Sequence, residues 1–469
     1  MMRIGRAELR WLSLMGATLL SSPLGAQSID PLPGGLLDDR LGIARETPGA
    51  SVRQDPTLRL PGTTTGDVTA LPAVGDPNGI DRGTTVSARR RPQYDPAGVR
   101  TGSFLFFPEL TAGVGYEDNV YSEPNGRGDI YGRLRASGAL RSTWGVHALA
   151  VDGYVDQRSY AKYDTEDAFT YGASASGKFD IDRTASLTGG VSHSRQVVDR
   201  SAVGEILTTR RPVRYDLTGA SAGFSKDFGR LAVGVTGAVD RFDFLNARTQ
   251  SGDVSDQQFR DYTRYSGGVE GSYGFGSGPR LYAAVNGELR RYRVQAPPIT
   301  RDADIVEGLV GIRSEITPLI RGRLGVGYLH ANFKDPTIPS QGALAIDANL
   351  DYLFSELTTF RLSARRYFQN VGLITAPATL NTEVQLRVDH ELLRNVILSA
   401  NARYVHGKYV DEDAAVNRWN VGVGGLWLVN RRIRMDAALD YTARKSDRIL
   451  IGNQKIDAFR ASVGVRYHL

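Results

Sequence analysis

The chain has 469 residues, a formal net charge of +6 and no cysteine. Its mean hydropathy is −0.27, and no stretch after residue 30 approaches the roughly 20 apolar residues that a membrane helix requires. A disulfide framework and helical membrane spans are therefore excluded, whereas membrane strands, of which only alternate residues meet lipid, are not. In chain order, Arg3, Arg6 and Arg10 precede the apolar stretch Trp11 to Leu20 and then Ser21-Ser22-Pro23-Leu24-Gly25-Ala26. That is the pattern of a secretory signal peptide over residues 1–26, cleaved after Ala26. Residues 27–103 hold nine of the 20 prolines and many Gly, Thr and Asp, with Tyr94 as the one aromatic. Such a stretch cannot bury enough apolar surface to offset the entropy of ordering, so it reads as a disordered periplasmic tail. Arg89-Arg90-Arg91 near its end reads as a solvated charge run, with lumen plugging or partner docking as the alternatives.

From Phe104 to Leu469 one unit recurs: an alternating strand, a longer polar connection, a second strand and a very short turn. The first strand puts Leu110, Ala112, Val114 and Tyr116 on one face. The second sends Ile130, Leu134, Ala136 and Leu140 one way and Arg133, Arg135, Ser137 and Arg141 the other. Eight tight turns fall at Arg141–Gly145, Asp180–Thr184, Asp227–Arg230, Gly276–Pro279, Thr317–Ile320, Ser355–Leu357, Leu392–Asn395 and Val429–Arg432. Nine longer connections alternate with them, and the set joins about 18 strands. The fold expected over residues 104–469 is thus all-β, a transmembrane antiparallel β-barrel preceded by the Pro/Gly-rich tail. Both termini and the turns should be periplasmic and the longer loops outside the cell.

The period of two assigns faces. Trp419, Val421, Val423, Gly425 and Trp427 should meet lipid, as should Ile433, Met435, Ala437, Leu439 and Tyr441. Phe107, Tyr116, Phe275, Trp427 and Tyr467 fit girdles at the two interfaces. The alternates line a lumen, and the arginines expected there are Arg133, Arg135, Arg290, Arg321, Arg323, Arg361, Arg365, Arg387, Arg403, Arg434 and Arg460, interspersed with Asp152, Glu270, Glu288, Asp436 and Asp440. Only seven of the 57 cationic residues are lysine. Guanidinium forks favour carboxylate and phosphate, so a wall for anionic material is one reading and a ladder balanced by neighbouring acids the other. Tyr131, Tyr154, Tyr282 and Tyr292 share the inner face and offer planes along which sugars could slide. The connections, about 7–14 residues each, look too short for one to fold inward as a constriction.

Catalytic chemistry finds no support. The six histidines lack the i, i+4 spacing of a helical zinc site. Ser192-His193-Ser194 has no third partner for a triad, and Gly274 to Pro279 is a hairpin turn rather than a phosphate loop. Asp253, Asp256, Asp411, Glu412 and Asp413 read as solvated loop acids. No enzyme activity, cofactor, metal or nucleic acid is expected. In the final strand Ser462, Gly464, Tyr467 and Leu469 match the polar–x–Gly–x–x–aromatic–x–hydrophobic pattern recognised by the barrel-assembly machinery, with Leu in place of the commoner Phe. Lipopolysaccharide and outer-membrane lipid are the other expected partners.

Phe107-Pro108-Glu109-Leu110 through Gly115-Tyr116-Glu117-Asp118-Asn119-Val120-Tyr121 resembles the opening of the outer-membrane family "putative beta-barrel porin 2". Ser142-Thr143-Trp144-Gly145-Val146-His147 and Asp180-Ile181-Asp182-Arg183-Thr184 add to the resemblance, which runs from about Phe104 to Leu469. It implies a channel for export of an exopolysaccharide, expected here to be acidic, served by a periplasmic polysaccharide-export protein. A general or solute-specific diffusion porin is the alternative.

Overall fold

The computed structural model describes residues 84–203, 209–276, 278–295, 298–317, 319–447 and 455–469. The expected signal peptide and the tail up to residue 83 lie outside them. Eighteen strands follow in order: β1 (Phe104–Glu117), β2 (Asp129–Ser142), β3 (Ala148–Tyr160), β4 (Ala168–Asp180), β5 (Ala185–Val197), β6 (Arg214–Asp227); β7 (Leu231–Phe244), β8 (Tyr262–Gly274), β9 (Arg280–Tyr292), β10 (Ala303–Thr317), β11 (Ile320–Phe333), β12 (Gln341–Ser355); and β13 (Thr358–Gln369), β14 (Thr379–Leu393), β15 (Val396–Tyr409), β16 (Ala415–Leu428), β17 (Ile433–Ser446), β18 (Lys455–His468). Each pairs antiparallel with its chain neighbours, and β18 returns to β1 from Glu109↔His468 to Glu117↔Arg460. The sheet is closed, which is how membrane-spanning strands satisfy their backbone groups in lipid. The eight tight turns gather at one end of the barrel and the nine longer connections at the other.

Alternation produces the two faces. On β16 Trp419, Val421, Val423 and Trp427 are exposed outward while Val416, Arg418, Asn420 and Leu428 are buried inside. Tyr116, Phe275, Trp427 and Tyr467 are outward as expected, but Phe107 is not. It sits on the inward alternation of β1, and Gly98 crosses its ring: a Cβ at Gly98 would lie 2.6 Å from the ring edge. Gly98 also has φ +70, which a glycine adopts without strain. Turns are made locally. Asp182 accepts from the backbone N–H groups of Thr184 at 2.7 Å and Ala185 at 2.9 Å, closing the β4–β5 hairpin through its own side chain.

The β1–β18 seam is clasped at both ends. Towards the turns, Val99–Thr101 pairs with Phe104–Phe106, taking the edge of β1 that β18 is too short to reach. Towards the loops, Glu117 holds Arg460 at 2.6 Å, Asp118 accepts from the Phe459 backbone N–H, and Asn119 donates to the Asp457 carbonyl at 2.8 Å. Asn119 also closes its own loop through the Glu123 backbone. The residues that carry the family resemblance therefore bind the first long connection to the last strand.

Candidate functional site

The site is the barrel interior, and its turn end holds an unexpected element. Residues 84–98, expected to be disordered, lie inside against β13–β17. Val86 is fully buried among Ile397, Leu426, Leu428 and Ala438, with Tyr94 beside it, and its N–H donates to the Thr359 hydroxyl at 3.0 Å. Arg89 and Arg91 both reach one Glu391 oxygen, at 2.7 and 2.9 Å. Arg90 between them is exposed. Asp95 lies 3.7 Å from Arg434. The expectation of a solvated charge run is thus corrected. Alternate side chains of the run point at the wall, and there a buried carboxylate compensates the cost of dehydrating both guanidinium groups.

The loop end is also occupied. In the third long connection, residues 198–203 leave β5 and reach the wall nearly opposite, at β15 and β16. Arg418 donates to Asp199 at 2.8 Å and to the Ser201 hydroxyl at 2.9 Å. Val203 packs with Val371, Val405, Tyr409 and Val416. Arg200 forks onto Glu166 at 2.7 and 2.8 Å, and burial pushes that carboxyl above its ordinary range. The base of the loop rests on rings: Val198 and Val213 pack with Tyr215, Phe242, Phe244, Tyr262 and Tyr292, of which Phe242 and Tyr262 stack at 4.4 Å. Arg301 joins two further connections, donating to the carbonyls of Val371 and Phe259 while lying 4.4 Å from the centre of the Tyr292 ring. The expectation that no connection folds inward is overturned. The missed signal was apolar content: Val198, Ala202 and Val203 have no reason to occur in a solvated loop.

Between the two ends the wall divides. On one arc, running from β9 through β18 to β3, the expected lumen arginines occupy the inward alternation and nearly all grip acids. Arg133 and Arg135 share Asp156, at 2.8 and 3.1 Å. Arg290 holds Glu288 at 2.5 Å, and Arg323 holds both Asp347 and Glu270 on neighbouring β8. Arg361 pairs with Asp351 at 2.8 Å. Arg365 and Arg403 share Glu383, at 3.1 and 3.0 Å, and Arg387 binds Asp389 at 2.9 Å. Arg460 and Arg434 have the partners given above, and Arg321 is half-buried on the same alternation. Among the acids, Asp152 pairs with Arg141 and Asp436 lies 3.9 Å from Arg466, while Asp440 is half-buried facing Arg460 in register.

The four tyrosines are inside, but their planes are occupied. Arg323 stacks on Tyr282 at 3.9 Å, Arg135 on Tyr154 at 4.1 Å, Arg158 on Tyr131 at 5.4 Å and Arg301 on Tyr292. Three of them also lie over glycines of neighbouring strands: Tyr131 over Gly115, Tyr154 over Gly172, and Tyr282 over Gly311 and, one strand further on, Gly325.

The other arc, on β4–β8, is different. Ser176, Gly190, Ser221, Ala238 and Ser266 form one row across five strands, each opposite the next in register. Thr188, Gly223, Thr236 and Gly268 form a second. The hydroxyls of Ser176, Thr188, Ser221, Thr236 and Ser266 make no contact among the described residues and are exposed or half-exposed to the lumen. These two rows are uncharged, short-chained and rich in hydroxyl groups, and they are flanked on the same alternation by paired charges: Arg264 with Asp240 at 2.7 Å, Lys178 with Asp180 at 2.9 Å, and Glu270 with Arg323.

A triad at Ser192-His193-Ser194 is excluded by the pleat, since both serines face inward and His193 faces outward onto Thr218 at 2.9 Å. Among the described residues no group of three His, Cys, Asp or Glu side chains is placed to hold a metal ion. Of the loop acids, Asp253 accepts from Ser251 and Asp256 from the Gln258 backbone, as local turn acceptors. On the last strand Ser462 faces inward while Tyr467 and Leu469 are exposed.

A family model described as "putative beta-barrel porin 2" matches residues 91–469. The chain belongs to that family. It is accordingly a porin-like outer-membrane β-barrel of a Gram-negative bacterium. No curated protein matches it. Among solved structures it is similar to Pseudomonas aeruginosa OpdQ, with 11% identity, 78% of this chain and 97% of that chain covered and a TM-score of 0.41. P. aeruginosa OpdL gives 11% identity, 79% and 99% coverage and 0.39. The copper transporter OprC gives 10% identity, 79% and 82% coverage and 0.43. The family match begins inside the segment lodged at the turn end, at Arg91.

Proposed function

We propose that the barrel is the final outer-membrane conduit for an exopolysaccharide, with its turns and both termini in the periplasm. The observation that carries this reading is the pair of uncharged, hydroxyl-bearing rows across β4–β8. A sugar chain can exchange hydrogen bonds with such groups, and the charges that flank them, Arg264 with Asp240 and Glu270 with Arg313 and Arg323, are already paired. The lumenal arginines are largely neutralised by their own carboxylates, so the positive wall that favoured an acidic cargo is weak. The reading rests on hydroxyl chemistry instead. In this function the barrel carries no catalytic step and no cofactor. The driving force belongs to inner-membrane machinery, and a periplasmic polysaccharide-export protein would deliver the chain to the turn end. The barrel-assembly machinery would read Ser462, Gly464, Tyr467 and Leu469, and lipopolysaccharide would surround the loop end.

A diffusion channel for small solutes is the second reading, and one observation favours it: the third connection crosses the lumen as a constriction would. The deciding experiment compares a deletion strain with its complemented parent for polysaccharide in medium, cell surface and periplasm, and for uptake of small solutes. Loss of surface polymer with normal uptake supports the conduit. Normal polymer with slowed uptake moves the assignment to a diffusion channel.

A further inference from the structure

Residues 84–98 differ from the rest of the interior in how they are held. Among the described residues their backbone joins no strand, and sheet pairing begins only at Val99. Side-chain contacts fix the segment instead: Val86 in its apolar notch, Arg89 and Arg91 on Glu391, Arg89 on the Glu356 carbonyl at 2.5 Å, Arg361 on the Ser87 hydroxyl at 3.4 Å, Arg431 on the Pro92 carbonyl at 2.9 Å, and Asp95 near Arg434. The Glu391 side chain is only 1% exposed and takes both guanidinium groups on one oxygen, so one buried acid is the shared ionic partner of the segment's middle. Glycines with positive φ stand where it meets the barrel, Gly98 at +70 and Gly102 at +58. An element attached at one end by such a joint, and elsewhere by separable side-chain contacts, can leave the wall without breaking the ladder that closes the barrel.

We propose that residues 84–98 form a releasable inner strap that narrows the turn-end mouth, latched to the wall by the grip of Glu391 on Arg89 and Arg91. Chain N-terminal to residue 84 continues directly from it, so a pull on that chain from the turn side would draw Val86 and the two arginines off in sequence. The device serves a conduit or a diffusion channel alike, so it stands or falls independently of the cargo.

The chain has no native cysteine, which allows a clean reversible clamp. Val86→Cys with Thr359→Cys joins the strap to β13 where the Val86 N–H meets the Thr359 hydroxyl at 3.0 Å. Full-length protein carrying this pair together with Arg89→Gln and Arg91→Gln is inserted in planar bilayers, oxidised and then reduced. Folding is checked by heat-modifiable mobility on gels. Reduction should at least double the single-channel conductance, reoxidation should restore the low value, and the glutamine pair without the cysteines should match the reduced state. Equal conductance in the oxidised and reduced states overturns the strap. Should the glutamine pair fail to assemble, the cysteine pair alone decides. Opening events present after reduction and absent after oxidation uphold the proposal, and their equal frequency overturns it.

Discussion

The two arcs of the inner wall are built from the same backbone and solve the same packing problem in opposite ways. From β9 through β18 to β3 the lumen side is filled by long arginines, most of them held by an acid or laid on a tyrosine. On β4–β8 the two central rows of the lumen side are almost bare backbone, capped by hydroxyls and glycine hydrogens, with paired charges such as Arg264–Asp240 beside them. The first arc is rigid because its charges are mutually dependent: an arginine without its acid would be a partly dehydrated cation. The hydroxyls of the two rows on β4–β8 make no hydrogen bond among the described residues and stay exposed or half-exposed to the lumen. The ionic arc acts as the frame, and the neutral arc faces the path.

That contrast predicts graded outcomes. Replacing Arg133, Arg135, Arg321 and Arg323 together by Glu should abolish assembly, seen as loss of heat-modifiable mobility, because Asp156, Glu270 and Asp347 would face new like charges. If this variant assembles and merely reverses ion preference, the ionic arc is not a frame. Asp389→Ala should cost about 3–5 kcal/mol by stranding the buried Arg387, read as a lower urea midpoint. Gly325→Ala should cost about 1–3 kcal/mol, since its methyl would collide with the Tyr282 hydroxyl. Ser221→Ala and Ser266→Ala on the neutral arc should change stability by no more than about 0.5 kcal/mol. Adding charge there sharpens the comparison: Ser221→Asp with Thr236→Asp should assemble normally and shift the reversal potential towards cations. Unchanged selectivity would show that ions travel elsewhere.

Much of this architecture is legible in the amino-acid sequence. Turns, loops and facing follow from the period of two and from the contrast between short and long connections, and Trp419 to Trp427 can be assigned on those grounds alone. The inward position of the arginines is the same rule applied to the opposite parity. Phe107 obeys that parity too, and reading it as a girdle residue puts its ring type ahead of its register. What lies beyond the sequence is long-range. Asp199 meets Arg418 across 219 positions and Arg89 meets Glu391 across 302, and no local pattern names such a partner. Apolar residues in a proline-rich tail and in a polar loop are the only trace, namely Val86 and Val198 with Val203. The neutral arc is hidden for another reason: serine and glycine on alternate positions carry little signal by type, and their alignment into rows appears only with the register.

The clasped seam sets an order of events. The ladder between β1 and β18 covers only Glu109 to Glu117 of β1, so the strand that closes the barrel must find a partial edge on the first. Until it does, both edges are open to pairing with foreign strands. The Val99–Thr101 hairpin removes the part of that edge which β18 never covers, and the Asp118 and Asn119 contacts hold the other end once β18 arrives. The start of the family motif and the end of the chain are thus two halves of one fastening. Protection of the Phe104–Phe106 edge should therefore precede closure, while protection of β18 should follow it. A barrel lacking its final strand should be trapped with β1 half hemmed and β17 exposed.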